Sequence, residues 1–124
     1  MRKQYNFWPG RDGLDAWDVD RLIALSAGLP VVALPLSAFA ELDTDYWFKD
    51  GQHPTVRSVV EHARLMQDAD LSFPVILAAD GRVMDGMHRI AKALMLGLAT
   101  VDAVQFTVTP EPDYQGIRPE ELPY

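Results

Sequence analysis

Pro74-Val-Ile-Leu-Ala-Ala79-Asp80-Gly81-Arg82-Val-Met-Asp85-Gly86-Met-His-Arg89-Ile-Ala-Lys-Ala-Leu-Met95 carries the reading of the fold. Residues 74–79 are a short continuous apolar run, the pattern of a buried strand. Asp80-Gly81 is a hairpin-turn dipeptide, so 82–85 is expected to return as a short partner strand. Gly86 breaks that strand. Met87, Ile90, Ala91, Leu94 and Met95 then recur at helical spacing, and Gly97 ends the helix.

Working outward, Thr100 to Val108 is rich in Val, Thr and Phe and predicts a final strand. Upstream, Val56, Val59, Val60, Ala63 and Met66 repeat at helical spacing, so a helix is expected from about Pro54 to Gln67. Asp43 to His53 has no period and reads as a loop with an aromatic anchor at Tyr46, Trp47 and Phe48. Val31–Leu34 predicts a strand ended by Pro35, with a single helical turn after Ser37. Val19, Leu22, Ile23 and Ser26 share one helical face, stopped by Gly28 and Pro30. The first sixteen residues carry Pro9, Gly10 and Gly13 and read as loop. The order is helix, strand, helix, hairpin, helix, strand, which predicts a single α+β domain with a small mixed sheet. The expected organisation is an N-terminal loop and helix over 1–30, a core over 31–108, and a Pro-rich tail over 109–124.

Composition narrows the function classes. The chain of 124 residues is 48% hydrophobic and 23% charged, a globular balance for one domain. Cysteine is absent, which removes disulfides, thiolate zinc sites and a thiol nucleophile. Eleven Lys and Arg against eighteen Asp and Glu leave a net charge of −7, so DNA is not an expected partner. No apolar run reaches membrane-span length, and Met1-Arg2-Lys3 leads into the mixed aromatic stretch Gln4–Trp8 without an apolar signal core. The expectation is a cytoplasmic protein without a membrane segment. His53, His62 and His88 have no metal-ligand spacing, so no metal site of their own is expected; His62 reads as a structural helix residue.

The chemistry sits in Asp85-Gly86-Met87-His88-Arg89. A helix start presents unpaired N–H groups and about half a positive charge. Gly86 lets a ligand approach the backbone. His88 and Arg89 are cations or potential cations in the first turn, where they oppose the helix dipole; an oxyanion would reverse that penalty. Arg89 can fork two phosphate oxygens and His88 can add a hydrogen bond.

Strand, Asp-Gly, short strand, then Gly-x-His-Arg opening an Ala-rich helix resembles the ParB/sulfiredoxin superfamily. The order of elements from Val31 to Val108 fits, while the specific part is Gly86 to Arg89. In that superfamily the loop reads Gly-Glu-Arg-Arg in the CTP-binding ParB domain and Gly-Cys-His-Arg in ATP-binding sulfiredoxin. It reads Asp-Gly-His-His-Arg in the free-serine kinase branch, which 85–89 resembles most. Met87 stands where sulfiredoxin has its nucleophilic cysteine, so sulfinic-acid repair is not expected. Only 109–124 follow the last expected strand, so the nucleotide-pocket half of the family is implied rather than a whole partition protein.

The resemblance implies ATP or CTP (or ADP) with Mg²⁺ as ligand. It further implies phosphate contacts from Asp85, Gly86, Met87, His88 and Arg89. It places candidate acids at Glu41, Asp43 and Asp45, which could take a proton from a substrate hydroxyl or hold Mg²⁺; the alternative is a solvated acidic loop. It points also to His53, Thr55 and Arg57 before and within the middle helix. For these, Thr55 as a helix cap and an Arg57–Glu61 surface pair are the alternatives. The expected function is nucleotide-phosphate binding with phosphoryl transfer or nucleotide hydrolysis as its catalytic form. The other expectation is a non-catalytic interaction module with a protein partner or a homo-oligomer.

Overall fold

The computed structural model describes residues 3–48 and 52–124. It is a mixed α+β structure. In chain order the elements are β1 (Tyr5–Gly10), β2 (Gly13–Asp18), α1 (Val19–Ser26), β3 (Val32–Pro35), α2 (Val56–Asp68), β4 (Val75–Leu77), β5 (Val83–Asp85), α3 (Met87–Met95), β6 (Thr100–Gln105) and β7 (Tyr114–Gln115). Short 3₁₀ turns occupy Leu36–Ala38, Ala40–Asp43 and Pro119–Glu121. Two sheets form, with strand orders β1-β2-β7 and β3-β6-β4-β5.

The four-stranded sheet is built around β4. It pairs antiparallel with β5 across the Asp80-Gly81 turn and parallel with β6, so α3 carries the chain past β4 from one neighbour to the other. In that turn the Asp80 carboxylate accepts the Arg82 backbone N–H at 3.0 Å, and the Gly81 N–H donates to the Ala78 carbonyl at 2.9 Å. Gly81 takes φ +91°, as the dipeptide requires.

Val75, Ile76, Leu77 and Ala78 are each no more than 3% exposed. Successive strand residues point to opposite faces, so both faces of this sheet are covered. Val75 and Leu77 join Val83, Met87, Ile90, Ala93, Val101, Ala103 and Phe39 on the α3 side. Ile76 and Ala78 join Met84, Val104 and Phe106 on the other side, against Trp8, Trp17 and Leu22.

That second cover corrects the reading of the N-terminal residues as loop. Residues 5–18 are a hairpin, with Tyr5 opposite Asp18 and Gly10 opposite Gly13. Pro9 is accommodated because β1 is an edge strand, and Gly10 and Gly13 flank the turn rather than break a helix. The Trp8 and Trp17 rings meet edge to face at 5.0 Å, and the Arg82 guanidinium lies 3.6 Å over the Trp8 ring. The C-terminal segment is likewise more than a tail. It adds β7 to β2, accepts the Trp17 indole N–H at the Pro110 carbonyl (2.8 Å), and buries Leu122.

Among the described residues no helix is long and apolar enough to cross a membrane. Leu22 is fully buried between α1 and the sheet, so Leu22→Ala is expected to lower unfolding free energy by about 2–5 kcal/mol in a urea titration.

Candidate functional site

Residues 85–89 fold as the spacing predicts: β5 ends at Asp85, Gly86 is the N-cap of α3, and the helix begins at Met87. Gly86 holds φ +113°, and no side chain caps the helix. A Cβ at Gly86 would come within 3.1 Å of Val75 Cγ2 and 3.2 Å of the Arg89 guanidinium. Glycine is therefore required twice, by backbone angle and by space.

Arg89 is committed inside the protein. One Nη donates to Asp85 Oδ2 at 2.6 Å, and the other donates to the carbonyls of Phe73 (3.0 Å) and Pro74 (2.7 Å). Both side chains of the ion pair are mostly buried, at 15% and 13% exposure. The fork thus ties the α3 start to the end of β5 and to the entry of β4. Met87 is buried in the core on the α3 side.

His88 faces α2. Its Nε2 lies 2.9 Å from Nδ1 of His62, so one of these two nitrogens donates and the other accepts. The two imidazoles are nearly coplanar, 17° apart, and the Trp47 indole stacks on both with ring centres at 4.4 and 4.6 Å. Phe48 meets His62 edge-on at 5.4 Å. Burial holds His62 below the usual histidine range, partly opposed by the Glu61 carboxylate. This histidine pair was not legible in sequence: His62 and His88 lie on different helices, and no spacing rule links them. The one local signal is that His62 lies four residues from both Ser58 and Met66 and so shares their side of α2, the side that is less exposed in the structure.

The acidic candidates separate. Glu41 accepts the Val83 backbone N–H at 2.8 Å and so pins β5. Asp43 and Asp45 are exposed. Tyr46 is pushed up to about 12 by burial first, then by the carboxylates of Glu41 and Asp85. Glu41, Leu42, Thr44, Tyr46, Trp47, Phe48, Met87 and Ala91 enclose a cavity of about 160 Å³ beside the α3 start. No group of three or more His, Asp or Glu side chains that could hold a metal occurs among the described residues, so Glu41, Asp43 and Asp45 do not assemble a Mg²⁺ cage.

Around α2, Thr55 caps the helix: its hydroxyl accepts the Ser58 N–H at 3.1 Å, and the Ser58 hydroxyl accepts the Thr55 N–H at 2.9 Å. His53 and Arg57 are exposed. Arg57 sits about 140° around the helix from His62, on the side away from α3. The Arg57–Glu61 ion pair weighed in the sequence does not form among the described residues. Lys92 donates to the carbonyls of Gln67 (2.9 Å) and Ala69 (2.7 Å) and closes the C-terminal end of α2.

Comparison with known proteins adds no relative: no family model, no curated protein and no solved structure matches this chain.

Two outcomes are expected. Gly86→Ala costs about 2 kcal/mol or more in urea unfolding, because a Cβ meets both the left-handed angle and the Arg89 head. His62, with a folded pKa below its unfolded value, contributes stability that is complete above about pH 6.5 and declines as pH falls toward the folded pKa. The urea midpoint is therefore expected to fall as pH drops below about 6.5, and His62→Gln is expected to flatten that slope.

Proposed function

We propose that the protein is a small ParB/sulfiredoxin-like domain that binds a nucleotide phosphate at the start of α3. The observation that carries this reading is the uncapped helix start at left-handed Gly86, with His88 in its first turn and His62 beside it. Backbone N–H groups of that turn and the helix dipole favour an oxyanion. Burial disfavours the protonated form of His62, so in this reading the imidazole pair serves as a neutral hydrogen-bonding group, held in place by the stacked Trp47 indole.

Arg89 acts in this reading through position. Its bonds to Asp85, Phe73 and Pro74 hold the loop rigid, so the anion meets a fixed set of donors. ATP, CTP and ADP are the ligands to test, each with and without Mg²⁺. The catalytic form of the proposal is phosphoryl transfer or nucleotide hydrolysis. It rests on the exposed carboxylates of Asp43 or Asp45, since Glu41 is engaged with β5.

Calorimetric titration tests the reading. Wild type is expected to bind at least one of the three nucleotides. His88→Ala is expected to weaken that binding about tenfold or more while the fold survives. Arg89→Ala is expected to lose binding and stability together, because it strands the Asp85 carboxylate, at a cost of about 3 kcal/mol. Wild type that binds none of them, or His88→Ala that binds as wild type does, sinks the proposal. For catalysis, ADP or CDP release that persists unchanged in an Asp43→Asn, Asp45→Asn double variant would remove those carboxylates from the mechanism.

The second reading, a non-catalytic interaction module, is favoured by a different observation. Val56, Val59 and Val60 stand 84%, 51% and 49% exposed on α2, a helix with no fully buried residue.

A further inference from the structure

The apolar stripe of α2 is not where α3 is. Val56, Val59 and Val60 centre about 110° away from the face that carries Ser58, His62 and Met66. The helix therefore rests on α3 by one margin of its apolar surface. Beyond the other margin, Val56, Arg57, Val60, Glu61 and Arg64 line a groove of about 400 Å³.

Arg57 and Arg64 are seven residues apart, so they project from one side of α2 about 10 Å apart along its axis. Neither has an ion-pair partner among the described residues; Lys3, Arg21, Arg82, Arg89 and Arg118 are ion-paired and Lys92 is bonded to two carbonyls, while Arg11, in the β1-β2 turn, is also without an ion pair. With Glu61 between them, the groove keeps an excess positive charge on a protein whose net charge is −7. An acidic chain that leaves two arginines unpaired beside exposed valines has the composition of a recognition surface, with apolar contacts at the centre and charge at the rim.

We propose that this face of α2 docks an acidic amphipathic segment of a partner protein. Its apolar side chains would cover Val56 and Val60, and its carboxylates would meet Arg57 and Arg64. A nucleic acid is disfavoured because two cations and a glutamate cannot replace the counterions of a phosphate backbone on so acidic a chain. A second copy is disfavoured because antiparallel pairing of the two grooves, centred between Val60 and Glu61, sets Arg57 of one copy against Arg64 of the other.

The proposal is independent of the nucleotide reading, because Arg57 and Arg64 lie on the side of α2 away from His62 and α3. The test is selection of a random peptide library on the full chain, followed by affinity measurement of the enriched peptides. The expected peptides pair apolar residues with Asp or Glu on both sides, and Arg57→Glu with Arg64→Glu weakens them about tenfold or more. Replacing their acidic residues by Lys is expected to restore binding to that double variant. All four side chains proposed to contact the peptide are exposed, so far-UV circular dichroism of the double variant is expected to match wild type. No enrichment, peptides without acidic residues, or equal affinity for wild type and the double variant would each overturn the proposal. So would sedimentation showing a dimer that the double variant dissolves. Nucleotide titration of the same variant separates the two readings: lost nucleotide binding there would instead place Arg57 or Arg64 in the phosphate site.

Discussion

The burial of β4 on both faces is the constraint from which the architecture follows. Val75 and Leu77 point one way, Ile76 and Ala78 the other, and all four are shielded from water. A sheet of four short strands cannot achieve this alone, since a two-faced apolar strand needs a layer on each side. α3 supplies one layer and lies immediately downstream. The other layer is assembled from distant pieces: the β1-β2 hairpin, α1, and the returning C-terminal segment. Trp8 and Trp17 meet edge to face within it, and the Arg82 guanidinium lies over the Trp8 ring from the β5 side.

The same stretch that builds the core also shapes the candidate site. The register that buries Val83 and Met84 leaves Asp85 at the strand end, where Arg89 reaches it one helical turn later. A guanidinium is unfavourable near a helix start. Here its charge is matched by a carboxylate and two carbonyls, so the helix opens against a neutralised, rigid corner. His88, the next residue back, turns toward α2 and meets His62. Trp47 then covers both rings.

Residues 74–97 were legible in sequence because every signal there is local. The apolar run, Asp80-Gly81, Gly86 and the helical spacing each act within a few residues. The N-terminal hairpin was not, because Pro9, Gly10 and Gly13 signal a break equally well in a loop and at the end of an edge strand. What distinguishes them is the sheet face waiting at Ile76, Met84 and Val104, sixty or more residues away in sequence. The candidate site divides the same way. The Gly86 turn and the Thr55 cap follow from neighbours. The engagement of Arg89 with Phe73 and Pro74, of Glu41 with Val83, and of His88 with His62 depends on packing between elements.

The pairing of Ala16 with Tyr114 has a consequence for how the chain acquires its structure. During synthesis the β1-β2 hairpin emerges well before β7 and well before the apolar sheet face that the hairpin covers. Trp8 and Trp17 have no sheet face to pack on until β4 to β6 have been made. Contacts of such sequence separation slow folding, because the intervening loop must close before they stabilise anything. The hairpin is therefore an apolar surface made long before its cover, and β7, made later than the four-stranded sheet, closes the three-stranded one.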